Sequence, residues 1–159
     1  MSDGHGGPPR HSVSVTGVVI HPEDGRVLMI QRVDDARWVP PGGVLELNET
    51  PEKCVVREVR EETGVDVTAE RLIGVYKNMV LGVVSLAMRC HPTGGEPRST
   101  PEASTAAWLS VEEAIAAAPE ARAVRITDAF RDDGPFVRVH DGAAVLTADG
   151  VTPLYRPES

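Results

Sequence analysis

The sequence predicts one mixed α/β (α+β) domain, and three observations carry that expectation. Its 159 residues suit a single domain at roughly 100–200 residues each. Runs rich in β-branched residues stand both before and after a capped helix. Asp24-Gly25 and Asp141-Gly142 are tight-turn signals between strand-like runs, so at least one antiparallel hairpin is expected, and the tight turn joining the first two strands excludes a doubly wound parallel sheet. Composition sets the outer bounds. Apolar residues make up 41% and charged residues 25%, which are globular values and exclude wholesale disorder. Aromatics are only 4%, so the core must come from Val, Leu, Ile, Ala and Met. The net charge of −8 argues against nucleic-acid binding. No apolar run approaches the ~20 residues of a bilayer span, so no membrane partner is expected. The opening MSDGHGGPPRH lacks a signal peptide's apolar region, which predicts a cytoplasmic protein. Cys54 and Cys90 are too few for a disulfide framework or a thiolate metal site.

Each element then has its own justification. Residues 1–11 form a flexible lead, and 12–159 are the domain, its tail after about residue 136 being the least diagnostic part. SVSVTGVVI (12–20) and RVLMIQR (26–32) read as strands paired across Asp24-Gly25. Residues 33–41 are a loop ending in WVPPGG, where two prolines forbid ladder donation. Thr50-Pro51 is a hydroxyl cap followed by Pro at the first helical position, and Gly64 is a stop, which bounds a helix over 51–63. Strands follow at 65–67, 71–80 and 81–90, then a polar Gly/Pro loop over 91–102. A strand lies around AAWLS, Ser110 with Glu113 forms a capping box, and a further helix spans 121–131. Residues 136–140 and 143–147 form a hairpin, with His140 read as part of its turn.

The acidic excess is concentrated. Glu46, Glu49, Glu52, Glu58, Glu61, Glu62, Asp66 and Glu70 fall in one window, opposed only by Lys53, Arg57 and Arg60. On a helical wheel Val55, Val56 and Val59 form an apolar arc, Lys53, Arg57 and Arg60 a basic side, and Glu58, Glu61 and Glu62 a third arc about 100° wide. Like charges at i,i+3 and i,i+4 cost about 0.2–0.5 kcal/mol per pair. Near the helix C-terminus the dipole disfavours them as well. A divalent cation between the carboxylates resolves both conflicts. Three Glu without nearby His or Cys form a hard-oxygen set, which points to Mg²⁺, with Mn²⁺ as the alternative, and Mg²⁺ commonly shares its shell with substrate phosphates. Arg57 has two readings, an i,i+4 pair with Glu61 or a clamp that fixes a ligating carboxylate.

Gly43, five residues, Glu49, seven residues and then Arg57-Glu58-Val59-Arg60-Glu61-Glu62-Thr63-Gly64-Val65 is similar to the Nudix box, G-x5-E-x7-R-E-U-x-E-E-x-G-U, at every defined position. The preceding RVLMIQR and WVPPGG and the later AAWLSVEEA resemble the family's surroundings of the box, so the likeness covers about residues 12–132. The resemblance implies a Nudix-type α/β/α sandwich that hydrolyses a nucleoside diphosphate linked to another moiety. It implies Glu58, Glu61 and Glu62 as Mg²⁺ ligands, Glu58 or Glu62 also helping to activate water, and a carbonyl of Gly42 or Gly43 as a further ligand. Arg57 would orient Glu58, and Glu49 would be structural or support the ligands. Arg32 sits where relatives place a phosphate-contacting Arg, Glu102 is the first candidate for an extra loop carboxylate and Glu96 the second, and Trp38 either stacks on a substrate ring or packs. A homodimer is common among relatives.

Three functions compete. The first is an Mg²⁺-dependent pyrophosphohydrolase acting on ADP-ribose, a nucleotide sugar, a dinucleoside polyphosphate or a modified nucleoside triphosphate. The second is a Nudix-like nucleotide sensor without turnover, against which all three metal carboxylates are present. The third is a prenyl-diphosphate isomerase, which needs a Cys in a setting that neither Cys54 nor Cys90 provides. Residues 33–38 and 91–102 are the expected specificity loops.

Overall fold

The computed structural model describes residues 7–101 and 103–154. The flexible lead expected over 1–11 therefore lies partly outside the described residues, and Glu102 lies outside them altogether. The chain runs β1 (Ser12–Val19), β2 (Val27–Arg32), β3 (Trp38–Val39), β4 (Gly42–Val44), α1 (Pro51–Thr63), β5 (Asp66–Asn78), β6 (Val83–Gly94), β7 (Ala103–Leu109), α2 (Val111–Ala117), α3 (Glu120–Ala129), β8 (Phe136–His140) and β9 (Val145–Leu146). A six-stranded sheet has the order β4-β1-β6-β5-β8-β9, and a three-stranded sheet the order β3-β2-β7. The large sheet is mixed, with β1/β6 and β5/β8 parallel and its other pairs antiparallel.

Alternation along β1 divides the core. Val15 and Val19 face a cluster with Cys54, Val55 and Val59 of α1. Val18 and Ile20 face a second cluster with Ala114 of α2 and Ile126 and Ala129 of α3. Helices thus cover both faces, as the mixed α/β/α expectation requires. Helix α1 lies very close to β1. A Cβ at Gly17 would come within 2.9 Å of Val59 Cγ2 and 3.0 Å of Val55 Cγ2, so glycine sets the depth at which the carboxylate-bearing helix sits.

The ends of α1 form for the reasons its sequence gives. Thr50 Oγ1 accepts from Lys53 N–H at 3.2 Å, Pro51 opens the helix, and Gly64 closes it in the left-handed region at φ 81°. Ser110 and Glu113 complete the capping box of α2.

The expected β1/β2 hairpin does not form. The tight turn is present, with His21 N–H donating to Arg26 C=O at 2.8 Å, but only an Ile20–Val27 bridge joins the strands. β1 already uses one edge for β4 and the other for β6, so β2 must leave for the second sheet. The class survives on the mixed pairing instead. Strands expected at 65–67 and 71–80 merge into β5, whose register shifts at Asp66/Val67, Ala69/Arg71 and Leu72/Gly74 accommodate the irregular pattern. β6 runs on to Gly94, which shortens the loop expected over 91–102.

His140 is a buried strand residue, 4% exposed, rather than part of a turn. Burial first, then Arg125 and Arg122, push its pKa from 6.5 down to about 4. A group depressed in the folded state stabilises the fold above its unfolded pKa and loses that contribution as pH falls through the folded value. Thermal unfolding should therefore show a destabilisation between pH 6.5 and about 4 that is smaller in His140→Gln; equal pH slopes for the two proteins would refute this assignment.

Candidate active site

Helix α1 presents its acidic arc toward β4, and one guanidinium organises it. Arg57 grips Glu49 with two bonds, Nε to Oε2 at 3.0 Å and Nη2 to Oε1 at 2.7 Å. Its Nη1 donates to Glu58 Oε1 at 3.0 Å and to Glu61 Oε2 at 3.1 Å. The geometry is compatible with both sequence readings of Arg57: it makes the i,i+4 pair with Glu61 and also hydrogen-bonds the Glu58 carboxylate. It does not belong to a separate basic side of the helix. Glu49 anchors this arrangement from the loop before α1. The bonds from Arg57 and a backbone N–H from Glu46 hold its carboxyl down at about 2, so it stays an anion at any working pH. The Cys54 thiol beneath is pushed up to about 12, by burial first and then by Glu49, and is inert.

Glu58 and Glu62 are buried, at 9% and 8% exposure, whereas the Glu61 side chain is 44% exposed. Gly42 N–H donates to Glu62 Oε1 at 2.8 Å. A Cβ at Gly43 would overlap the Glu58 carboxylate. Gly43 thus lets β4 come against the Glu58 carboxylate, Gly42 lets it come against β1 while its N–H reaches Glu62, and the Gly42-Gly43 backbone lies alongside the acidic arc.

These residues can be tested against a divalent cation. Among the described residues no three His, Cys, Asp or Glu side chains converge on one point, because Glu62 is turned to the Gly42 N–H while Arg57 holds Glu58 and Glu61. The donors at hand are carboxylates and backbone carbonyls, the hard oxygen set that suits Mg²⁺ or Mn²⁺. Glu58 and Glu61 already share one cationic nitrogen, Nη1 of Arg57. The residues fit such an ion if a substrate phosphate completes its shell, as is usual for Mg²⁺.

The other expected residues are distributed unevenly. Arg32, at the end of β2, lines a cleft of about 490 Å³ together with Ile30, Val33, Asp34, Gly42 and Glu62. Its guanidinium is paired with Asp34 through Nε and Nη2, each at 3.1 Å. Trp38 lies opposite Gln31 in the β2/β3 ladder and packs, half-buried, against the second core cluster. Glu96 is exposed in the loop after β6. Arg122 was not singled out by its sequence setting, yet it lines an adjoining cleft of about 230 Å³ with Arg32, Thr16, Gly42, Gly43 and Glu62. The readable signal was Arg122 and Arg125 one turn apart on a helix otherwise rich in small residues.

Two neighbouring glycines should respond differently to the same change. Gly43→Ala meets only a side-chain carboxylate, so the fold should persist while Glu58 is displaced and divalent-ion affinity falls about 10–100-fold. Gly42→Ala drives its Cβ into the Val15 carbonyl and should lower the unfolding temperature by separating β4 from β1. Calorimetric titration of Mn²⁺ and thermal unfolding of both variants check this; unchanged ion binding in a folded Gly43→Ala protein would contradict it.

Comparison with known proteins agrees with this architecture. A family model described as the NUDIX domain matches residues 11–130. A MutT-like protein of Streptomyces ambofaciens is 50% identical over 141 residues, covering 89% of this chain and 91% of that protein. An ADP-ribose pyrophosphatase of Methanocaldococcus jannaschii is 31% identical over 107 residues, covering 63% of this chain and 62% of its own. Among solved structures, an ADP-ribose pyrophosphatase from Streptococcus suis superposes with TM-score 0.66 at 22% identity, over 82% of this chain and 100% of that one. A UDP-X diphosphatase gives 0.68 at 18%, over 80% and 65%. Among the described residues no helix is long and apolar enough to cross a membrane. With its acidic helix, its glycine-lined strand and a domain match over most of its length, the chain belongs to the Nudix hydrolase family.

Proposed function

We propose that this protein is an Mg²⁺-dependent pyrophosphohydrolase that cuts the diphosphate joining a nucleoside to another group. The observation that carries the reading is the Arg57-held set of Glu58 and Glu61 beside Glu62 and the Gly42-Gly43 backbone. Glu58, Glu61 and Glu62, with a carbonyl of Gly42 or Gly43, would hold the ion. When bound, the ion lowers the pKa of an attacking water and offsets charge on the departing phosphate. Arg57 fixes the rotamers of Glu58 and Glu61, with Glu49 as its anchor. Glu58 or Glu62 takes the proton of the attacking water. We assign that proton to the set of neighbouring carboxylates rather than to one residue. Arg32 stands beside Glu62 in the larger cleft and is suited to phosphate by its planar fork. Positioning and electrostatics thus supply most of the acceleration.

ADP-ribose is the first substrate to try, because two of the similar proteins carry that activity in their names. Nucleotide sugars, dinucleoside polyphosphates and modified nucleoside triphosphates complete the panel. With Mg²⁺, at least one member should be cleaved to a nucleoside monophosphate or diphosphate, and chelation should abolish turnover. Reaction in oxygen-18 water will show which phosphorus is attacked. Glu62→Gln should lower turnover by about 10²–10⁴-fold with the fold intact. Failure of every diphosphate in the panel, or near-wild-type turnover by Glu62→Gln, would overturn the reading.

A further inference from the structure

The smaller cleft behind Gly42 and Glu62 has a charge pattern that the cleavage chemistry does not require. Arg122 and Arg32 both line it. Thr16 lines it as well, and the Thr16 hydroxyl accepts from Nη1 of Arg125 at 2.6 Å. Arg125 is 1% exposed. Its other contacts are the Ser85 hydroxyl at 3.3 Å, the face of Tyr76 at 5.0 Å and Nε2 of His140 at 3.3 Å. Nδ1 of His140 accepts from Gly142 N–H at 3.0 Å, so the neutral ring carries its proton on Nε2 and offers Arg125 no acceptor there. Nε of Arg125 is buried without a hydrogen-bond partner.

Three arginines thus converge from β2 and α3, and only Arg32 is paired with a carboxylate, Asp34. Among the described residues neither Arg122 nor Arg125 has one. Burial, then the charge of Arg32, depresses Arg122. Burial, then the charge of Arg122, depresses Arg125 to about 9, so it remains a cation at neutral pH. Arg125 is buried and Arg122 half-buried, and cations without a compensating anion in such places destabilise a fold. Their retention beside a substrate cleft is rational where the ligand brings the anion. The cleft walls at Val15, Ile30, Val39, Pro40, Val44 and Val83 carry no aromatic ring on which a base could stack.

We propose that Arg122, with Arg32 beside it and Arg125 behind Thr16, forms an anion subsite for a phosphate of the substrate other than the pair whose linkage is cut. This deepens the pyrophosphohydrolase reading and rests on it: the preferred substrates carry a further phosphate, and charge selects them in place of base stacking. Arg122 is the specificity-determining residue, because it reaches the cleft and lacks a carboxylate of its own.

Inorganic pyrophosphate in the presence of EDTA is the probe, since without metal the carboxylates repel it and only the guanidiniums attract it. Calorimetry should show binding to the wild-type protein and at least about tenfold weaker binding to Arg122→Gln. Arg122→Gln should unfold at no lower a temperature than wild type, because one of three crowded cations is gone. Arg122→Lys keeps the charge without the fork and should bind about threefold more weakly. If Arg122→Gln does not fold, the comparison of Arg122→Lys with wild type decides. No pyrophosphate binding by the wild type, or equal affinity in the folded variants, overturns the subsite. Mg²⁺-dependent turnover of the diphosphate panel by the wild type reports separately on the hydrolase reading, so the two can fail independently.

Discussion

One guanidinium holds the acidic face of α1 together. Glu58, Glu61 and Glu62 are placed where helix geometry and the helix dipole both disfavour them. Arg57 relieves that conflict within the protein by lying between Glu58 and Glu61 while Glu49 grips it from the far side. The planar fork matters. Two donors are spent on Glu49 and a third nitrogen serves the two helical carboxylates, a geometry that a lysine ammonium cannot reproduce. Glu62 escapes this arrangement and is satisfied by a backbone N–H of β4. The site is therefore neither a loose acidic patch nor a closed metal cage. It is a set of anions held in two groups, close to the form in which a hard cation and a phosphate would unite them.

The fold exists, from the site's point of view, to bring α1 and β4 to this distance. Gly17 allows α1 to settle on β1. β1 in turn pairs with β4 through Val15–Gly43 and Thr16–Gly42, so a single strand sets both the floor under the helix and the position of the glycine backbone beside it. The opposite face of β1 carries Thr16 toward Arg125. Side-chain alternation along one strand thus separates an acidic layer on one side from a basic layer on the other, with the clefts opening between them.

Much of this was legible in the sequence, for identifiable reasons. α1 was fixed to the residue because its signals are local: a hydroxyl cap, a proline, a terminal glycine and a glutamate spacing that only makes sense on a helix. The α2 capping box and the 136–147 hairpin were readable for the same reason. The β1/β2 hairpin was misread because a tight turn reports only that the chain reverses; which sheet the next strand joins depends on the edges that β4 and β6 already occupy. His140 was misread as a turn residue because the neighbouring Asp141-Gly142 signal is real, while its burial against Arg125 arises from packing of α3 and is not encoded locally. Arg122 and Arg125 were not legible for that reason too: an arginine on a surface-like helix is ordinary until tertiary contacts show that, among the described residues, it has no carboxylate. The supporting role of Glu49 was legible through the resemblance, but its partner was not, because the pairing with Arg57 depends on the loop that carries Glu49 back to α1.

The most direct test is a crystal of the protein soaked with Mn²⁺ and a non-cleavable nucleoside diphosphate analogue, with anomalous scattering recorded at the manganese edge. The account predicts a peak bound by Glu58, Glu61 and Glu62, with Glu62 released from the Gly42 N–H to reach it. A map without that peak, in which Glu62 still accepts from Gly42 and the analogue lies elsewhere, would contradict it.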